Sequence, residues 1–177
     1  FEALIKEIPD VADDEDFVTK HYSDSWKALQ PDQNSRKLIC SIDRLIAIDR
    51  LKEVMVLRGF QRLGGKMVPP DIIDGTNWLP ALELYGEGIF FTFDEETLRN
   101  WEDNEGLRSR IKSVEKRYEA TDIRFDSDVK ISPRLMFLHT LAHLLIRQLE
   151  TEAGYPAASL KERIYCTTGK LPMAGLL

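Results

Sequence analysis

Two of the three histidines in this 177-residue chain, His139 and His143, stand four residues apart in Leu-His-Thr-Leu-Ala-His-Leu-Leu-Ile. On a helix that spacing puts both imidazoles on one face, with Cβ atoms about 6 Å apart. Such a pair can ligate zinc. A zinc protease also needs a glutamate directly after the first histidine as general base, and that position is Thr140. A third ligand would have to come from elsewhere; His21, Asp122, Asp126 and Glu150 are available, none at a telling spacing. Three readings stay open: imidazoles hydrogen-bonded in a core and pinning neighbouring segments, a polar functional cleft, or a metal site. Downstream, Glu162 and Arg163 add a carboxylate and a guanidinium. With His139 and His143 they are the candidate residues of a hydrolytic site, against the commoner ion pair or helix cap. Cys166 is expected just past a helix, where nothing depresses its pKa, and reads as a small buried hydrophobe.

The element that carries the histidines is well marked. Ser132 can cap a first helical turn, Pro133 fits the first helical position, and Gly154 can take the left-handed conformation that ends a helix. Between them Leu135, Phe137, Leu138, Leu141, Ala142, Leu144, Leu145, Ile146 and Leu149 leave almost no polar face, the pattern of a buried central helix. At about 20 residues it spans roughly 30 Å.

Upstream, Asp94 can cap a helix bearing Glu95 and Glu96 in its first turn. After Gly106, Leu107, Ile111, Val114 and Tyr118 form one apolar helical stripe. The opposite face holds Arg108, Arg110, Lys112, Lys116 and Arg117, the one basic surface of the chain and its candidate nucleic-acid contact. The bland alternative is a solvated face balanced by Glu115 and Glu119. Strands are expected near Leu45–Ile48, and after a turn within Leu51–Leu63. A hairpin is expected within Trp78–Phe93, turning at Gly86-Glu87-Gly88. Gly64-Gly65-Lys66 reads as a turn and lacks the glycine pattern of a phosphate-binding loop. Ser159 and Glu162 have the spacing of a capping box for a further helix, and Met173–Leu177 reads as the start of a buried strand. Phe1–Lys6 is a short amphipathic start, Pro9–Asp16 an acidic loop, Asp24–Arg36 a loop anchored by Trp26, and Phe125–Asp128 a polar connection. The fold class is α+β: a long central helix on a mixed or antiparallel sheet with a β-hairpin.

The hydrophobic fraction of 43% and charged fraction of 31% are those of an ordinary globular domain. A net charge of −6 disfavours wrapping of nucleic acid by the whole chain while allowing a local basic face. No apolar run reaches the length that crosses a bilayer, so no membrane partner is expected. Cys40 and Cys166 form neither a disulfide framework nor a zinc-ribbon spacing, and a reducing cytoplasm is the expected setting. The start at Phe1 and the finish at Met-Ala-Gly-Leu-Leu suggest a piece of a longer protein.

Leu138–Ile146, with Gly154-Tyr155, Ala158–Tyr165 and Met173-Ala174-Gly175, resembles the zinc-binding domain attached to MrfA-type DNA-repair helicases. Arg50–Arg62 and Trp78–Glu83 with Gly86–Phe90 resemble the setting of that domain in the DrmB family of the bacterial DISARM anti-phage system. The resemblance covers roughly Arg44 to Leu177 and implies residues 44–177 as a domain incomplete at its C-terminus, preceded by a connecting segment over 1–43. It implies a helicase-associated subunit that is non-catalytic or cryptically catalytic, with a DrmA-type helicase as partner and phage DNA met through the complex. The alternatives are a nucleic-acid-processing hydrolase built on His139 and His143, and an accessory domain of a repair helicase. The family's zinc-binding cysteines would lie beyond Leu177, so the resemblance implies no metal in this segment. Pro156 departs from the family, standing where a small polar residue is usual.

Overall fold

The structure is a computed structural model that describes residues 15–22, 41–63, 65–70, 78–121, 130–168 and 172–177. In chain order the elements are β1 (Phe17–Tyr22), β2 (Ile42–Val56), β3 (Ala81–Phe93), α1 (Glu95–Glu102), α2 (Glu105–Glu119), α3 (Pro133–Ala153), a 3-10 turn (Ala157–Ser159), β4 (Ile164–Thr167) and β5 (Met173–Leu176). The strands form one antiparallel sheet in the order β1-β2-β3-β5-β4, which makes the protein α+β as expected. The chain divides into two compact units. The larger takes its described residues from His21–Ala47 and Ile89–Leu177, the smaller from Ile8–Lys20 and Ile48–Gly88.

The core lies in the larger unit. Phe91 and Phe93 of β3, Leu98 of α1, Leu138 and Ala142 of α3, and Ala174 and Leu176 of β5 are buried together. Phe93 meets Phe91 and Phe137 edge-on, at ring separations of 5.6 and 5.0 Å. Each ring pair adds about 0.5–1.5 kcal/mol beyond its area burial. β5 fits between its neighbours through Phe91↔Leu176 and Thr92↔Gly175 on one side and Tyr165↔Gly175 and Cys166↔Ala174 on the other. The C-terminal end of β3 is buried on both faces, which is why Phe90-Phe91-Thr92-Phe93 shows no polar alternation.

The start of α1 and both ends of α3 follow the sequence signals, whereas α2 begins at Glu105, before Gly106, behind an Asn104 cap. Thr97 N–H donates to Asp94 Oδ1 at 2.8 Å, Leu107 N–H to Asn104 Oδ1 at 3.1 Å, and Leu135 N–H to Ser132 Oγ at 3.2 Å. Gly154 ends α3 at φ +73°, the conformation that favours glycine. On α2, Ile111 is buried and Leu107, Val114 and Tyr118 are half-buried, so the expected stripe is the packed one. Burial of α3 is one-sided: Arg134, Leu138 and Ala142 form its fully buried line, while Leu144 stays 56% exposed.

In the smaller unit Lys52 Nζ reaches Asp16 Oδ2 at 3.0 Å and Glu83 Oε1 at 3.3 Å, tying β1, β2 and β3. Phe60 and Val68 exchange both backbone hydrogen bonds at 2.8 Å, and Gly65 N–H donates to Arg62 O in the turn between them. A Cβ at Gly59 would stand 2.7 Å from Val68 O, so only glycine fits there.

Three expectations are corrected. Trp78–Phe93 is no hairpin: β3 runs unbroken through Gly86 and Gly88, and the strands consecutive in sequence that pair are β1–β2, β2–β3 and β4–β5. Similarly, β2 continues from Ile42 to Val56 with no turn at Leu51. After Gly154 there is a single 3-10 turn, and the chain is extended from Leu160 into β4, so Cys166 lies in a strand. The expectations for Phe1–Lys6, Asp24–Arg36 and Phe125–Asp128, and most of that for Pro9–Asp16, lie outside the described residues.

Candidate functional site

His139 and His143 lie on α3 as expected, with ring centroids 4.4 Å apart and planes at 86°. The extended stretch before β4 brings Glu162 to them. His139 Nδ1 and Glu162 Oε1 are 2.9 Å apart. Glu162 is held in place by its neighbour: Arg163 N–H donates to Leu177 O at 2.7 Å and Leu177 N–H to Arg163 O at 3.0 Å, extending the β4–β5 ladder. His139, His143 and Glu162 each offer a ligand atom, and these atoms all lie within 4.8 Å of one another. The second carboxylate oxygen, Glu162 Oε2, is buried with no hydrogen-bond partner among the described residues. Two imidazoles and a carboxylate can share a proton, accept a hydrogen bond from a ligand, or ligate a borderline metal ion.

Of the other candidates, Arg163 is exposed and adds its backbone to the ladder. Glu150 is exposed on α3 and stands outside the cluster, and Asp122 and Asp126 lie outside the described residues. The third member is thus Glu162, from a segment that sequence spacing assigned to a helix cap. No local signal joins it to His139, 23 residues away; only the return of the chain along β4 does.

Arg108, Arg110, Lys112, Lys116 and Arg117 are all exposed on α2. Arg108, Lys112 and Lys116 follow one another along one line, while Arg110 and Arg117 lie about half a turn away, so the two lines flank the solvent face. Arg108 is engaged with Asp103 and donates from Nε to Glu102 O at 3.3 Å.

A second polar centre was not foreseen. Arg134, in the first turn of α3, is 1% exposed. Its guanidinium meets Glu95 through Nη1–Oε2 and Nη2–Oε1, both 2.9 Å, and Glu102 through Nε–Oε1 at 2.9 Å and Nη2–Oε2 at 3.2 Å. Nη1 also donates to Thr167 O at 3.1 Å and Met173 O at 3.4 Å. Arg99 Nε completes the charge balance on Glu95 at 2.7 Å. Burial alone would pull the Arg134 pKa down; hydrogen bonds to Glu102 and Glu95 outweigh it and raise it. This network joins α1, α3, β4 and β5. It is structural, since every part of the guanidinium fork is committed to protein groups.

No protein-family model matches the chain. DISARM protein DrmB of Bacillus paralicheniformis is 39% identical over 153 aligned residues, which cover 76% of this chain and 26% of that protein. The chain therefore spans about a quarter of the length of this relative. Identity at that level over 76% of this chain supports a DrmB-like protein.

Proposed function

We propose that the chain is part of a helicase-associated subunit of a DISARM-type anti-phage complex that acts on invading DNA in the cytoplasm, with a DrmA-type helicase as its partner. The observation that carries this reading is the 39% identity to DISARM protein DrmB. Two features of the fold support it. The smaller unit leaves Met55, Phe60, Met67, Trp78 and Leu82 each more than half exposed, a concentration of large apolar side chains of the kind that protein partners cover. The five basic side chains of α2 stand in solvent, where phosphates can reach them. No described helix is long and apolar enough to cross a membrane.

The test is co-purification of the intact parent protein with the helicase encoded beside it, scoring the helicase's DNA-stimulated ATPase with and without the subunit. A stable complex with an altered DNA response is the expected result. A parent protein that stays alone and leaves the helicase unchanged overturns the reading and favours an independent enzyme built around His139 and His143. Within the complex, replacing Lys112 and Lys116 by glutamate should weaken DNA binding across all sequences. It should also flatten the salt dependence by roughly one unit of slope for each phosphate no longer neutralised.

A further inference from the structure

We propose that His139, His143 and Glu162 form a binding site for one zinc-class divalent cation, with a coordination position left open to water. This inference does not depend on the DISARM reading. Three independent observations meet at the cluster.

The first is ligand placement. The helix presents two imidazoles four residues apart on one face, and the start of the β4 segment presents a carboxylate to the same point, all three ligand atoms lying within 4.8 Å of one another. Bond lengths of about 2.0–2.2 Å in a tetrahedral site put ligand atoms roughly 3.3 to 3.6 Å apart. Side-chain rotations of about an ångström, with no movement of α3 or the ladder, close the remaining gap.

The second is the orphaned oxygen. Glu162 Oε1 has His139 Nδ1 at 2.9 Å, while Oε2 is buried with no partner among the described residues. A plain His–Glu hydrogen bond leaves that acceptor unsatisfied, which is costly in a folded protein. A cation between the carboxylate and the two rings satisfies it.

The third is His143. Among the described residues its ring has the edge of His139 beside it and no hydrogen-bond partner. As a core-pinning histidine it would lack the hydrogen bond that such a role requires, and it is exposed rather than buried. As a metal ligand it needs only its nitrogen lone pair aimed at the shared point, and its exposure gives the ion an entry path.

The donor set names the class of ion. Two imidazole nitrogens and one carboxylate oxygen suit zinc and its first-row neighbours, whereas calcium and magnesium take oxygen ligands throughout and copper(I) favours sulfur. Three protein ligands leave a fourth position for water, the arrangement of zinc centres that bind substrate rather than of closed structural ones. The bound ion would also clamp the middle of α3 to the segment entering β4.

The test is metal binding by the metal-stripped chain. Zinc is titrated calorimetrically, cobalt(II) is followed by its visible absorption, and retained metal is counted after dialysis. The native chain should take up one equivalent of zinc and give the intense d–d bands of tetrahedral cobalt. His143→Gln, at an exposed position that spares the core, should lower affinity at least about 100-fold, as should Glu162→Gln. Arg147→Ala, one turn further along the same helix, should bind as the native chain does. Unchanged helical circular dichroism separates ligand loss from unfolding. Retention of the full equivalent by both His143→Gln and Glu162→Gln would overturn the proposal, as would a native chain that takes up no zinc at micromolar concentration. With only Cys40 and Cys166 in the chain, no cysteine cluster can supply the missing equivalent.

Discussion

Arg134 and Glu102 meet fork to fork, Nε to Oε1 at 2.9 Å and Nη2 to Oε2 at 3.2 Å, with the guanidinium 1% exposed. The same guanidinium holds Glu95 and two strand carbonyls, so one side chain fastens both helices and strands around the core. Removing it leaves two carboxylates facing each other in a partly buried site. Arg134→Ala should therefore cost about 3–5 kcal/mol in urea denaturation. Arg134→Lys should recover only a small part of this, because an ammonium cannot span two carboxylates in the planar geometry of the fork.

The same centre sets an acid limit. Burial works against the charge of Glu95, but Arg134 and Arg99 outweigh it and hold its pKa below 4.5, the ordinary value. Asp94 is likewise lowered, by the hydrogen bonds from Thr97. A depressed carboxylate contributes stability that is fully present above its unfolded pKa and is lost as pH falls through the folded value. Thermal unfolding temperatures should therefore hold steady from neutral pH to about 5 and fall below pH 4.5. Glu95→Gln should be less stable at neutral pH and should flatten that acid-side decline.

Lys52 gives the alkaline counterpart in the smaller unit. Hydrogen bonds from its ammonium to Asp16 and Glu83 raise its pKa above 10.5. Its contribution is present below that value and lost as pH rises through the folded one. Lys52→Met should leave stability near neutral pH only slightly changed, as for exposed pairs generally, and should remove the step above pH 10.5 in a pH titration of unfolding.

Both ends of α3 carry measurable stability. Ser132→Ala removes the side-chain acceptor of Leu135 N–H and should cost about 1 kcal/mol. Gly154→Ala forces a Cβ into φ +73° and should cost about 1–2 kcal/mol, although nothing lies within 4 Å of the added carbon. Differential scanning calorimetry of the two variants checks both values.

Cys166 should be a slow thiol. Burial pushes its pKa up, more than Ser132 and Arg134 nearby draw it down. Peptide mapping after iodoacetamide should find Cys166 largely unmodified in the native chain at pH 7.5 and fully modified in denaturant. Rapid native labelling would show that β4 opens readily.

What the sequence by itself determined is local. Asp94, Ser132, Pro133 and Gly154 mark helix ends because their effects act within one turn of backbone, and the stripe of Leu107, Ile111, Val114 and Tyr118 needs only the helical period. The histidine pair was legible for the same reason, as was the basic face of α2. The tertiary structure decided everything that depends on which segment lies alongside which. Gly86 and Gly88 permit a turn without compelling one; among the described glycines only Gly154 takes positive φ, and the long neighbour β2 extends β3 straight through them. Ser159 and Glu162 have cap spacing, yet β5 draws the following chain into a strand and delivers Glu162 to His139. Arg134 reads as one polar residue at the start of an apolar helix until α1 folds back to supply its two carboxylates. The side-chain periods of 3.6 and 2 are short-range properties, whereas the partners of a strand or a buried charge are chosen by contacts dozens of residues away.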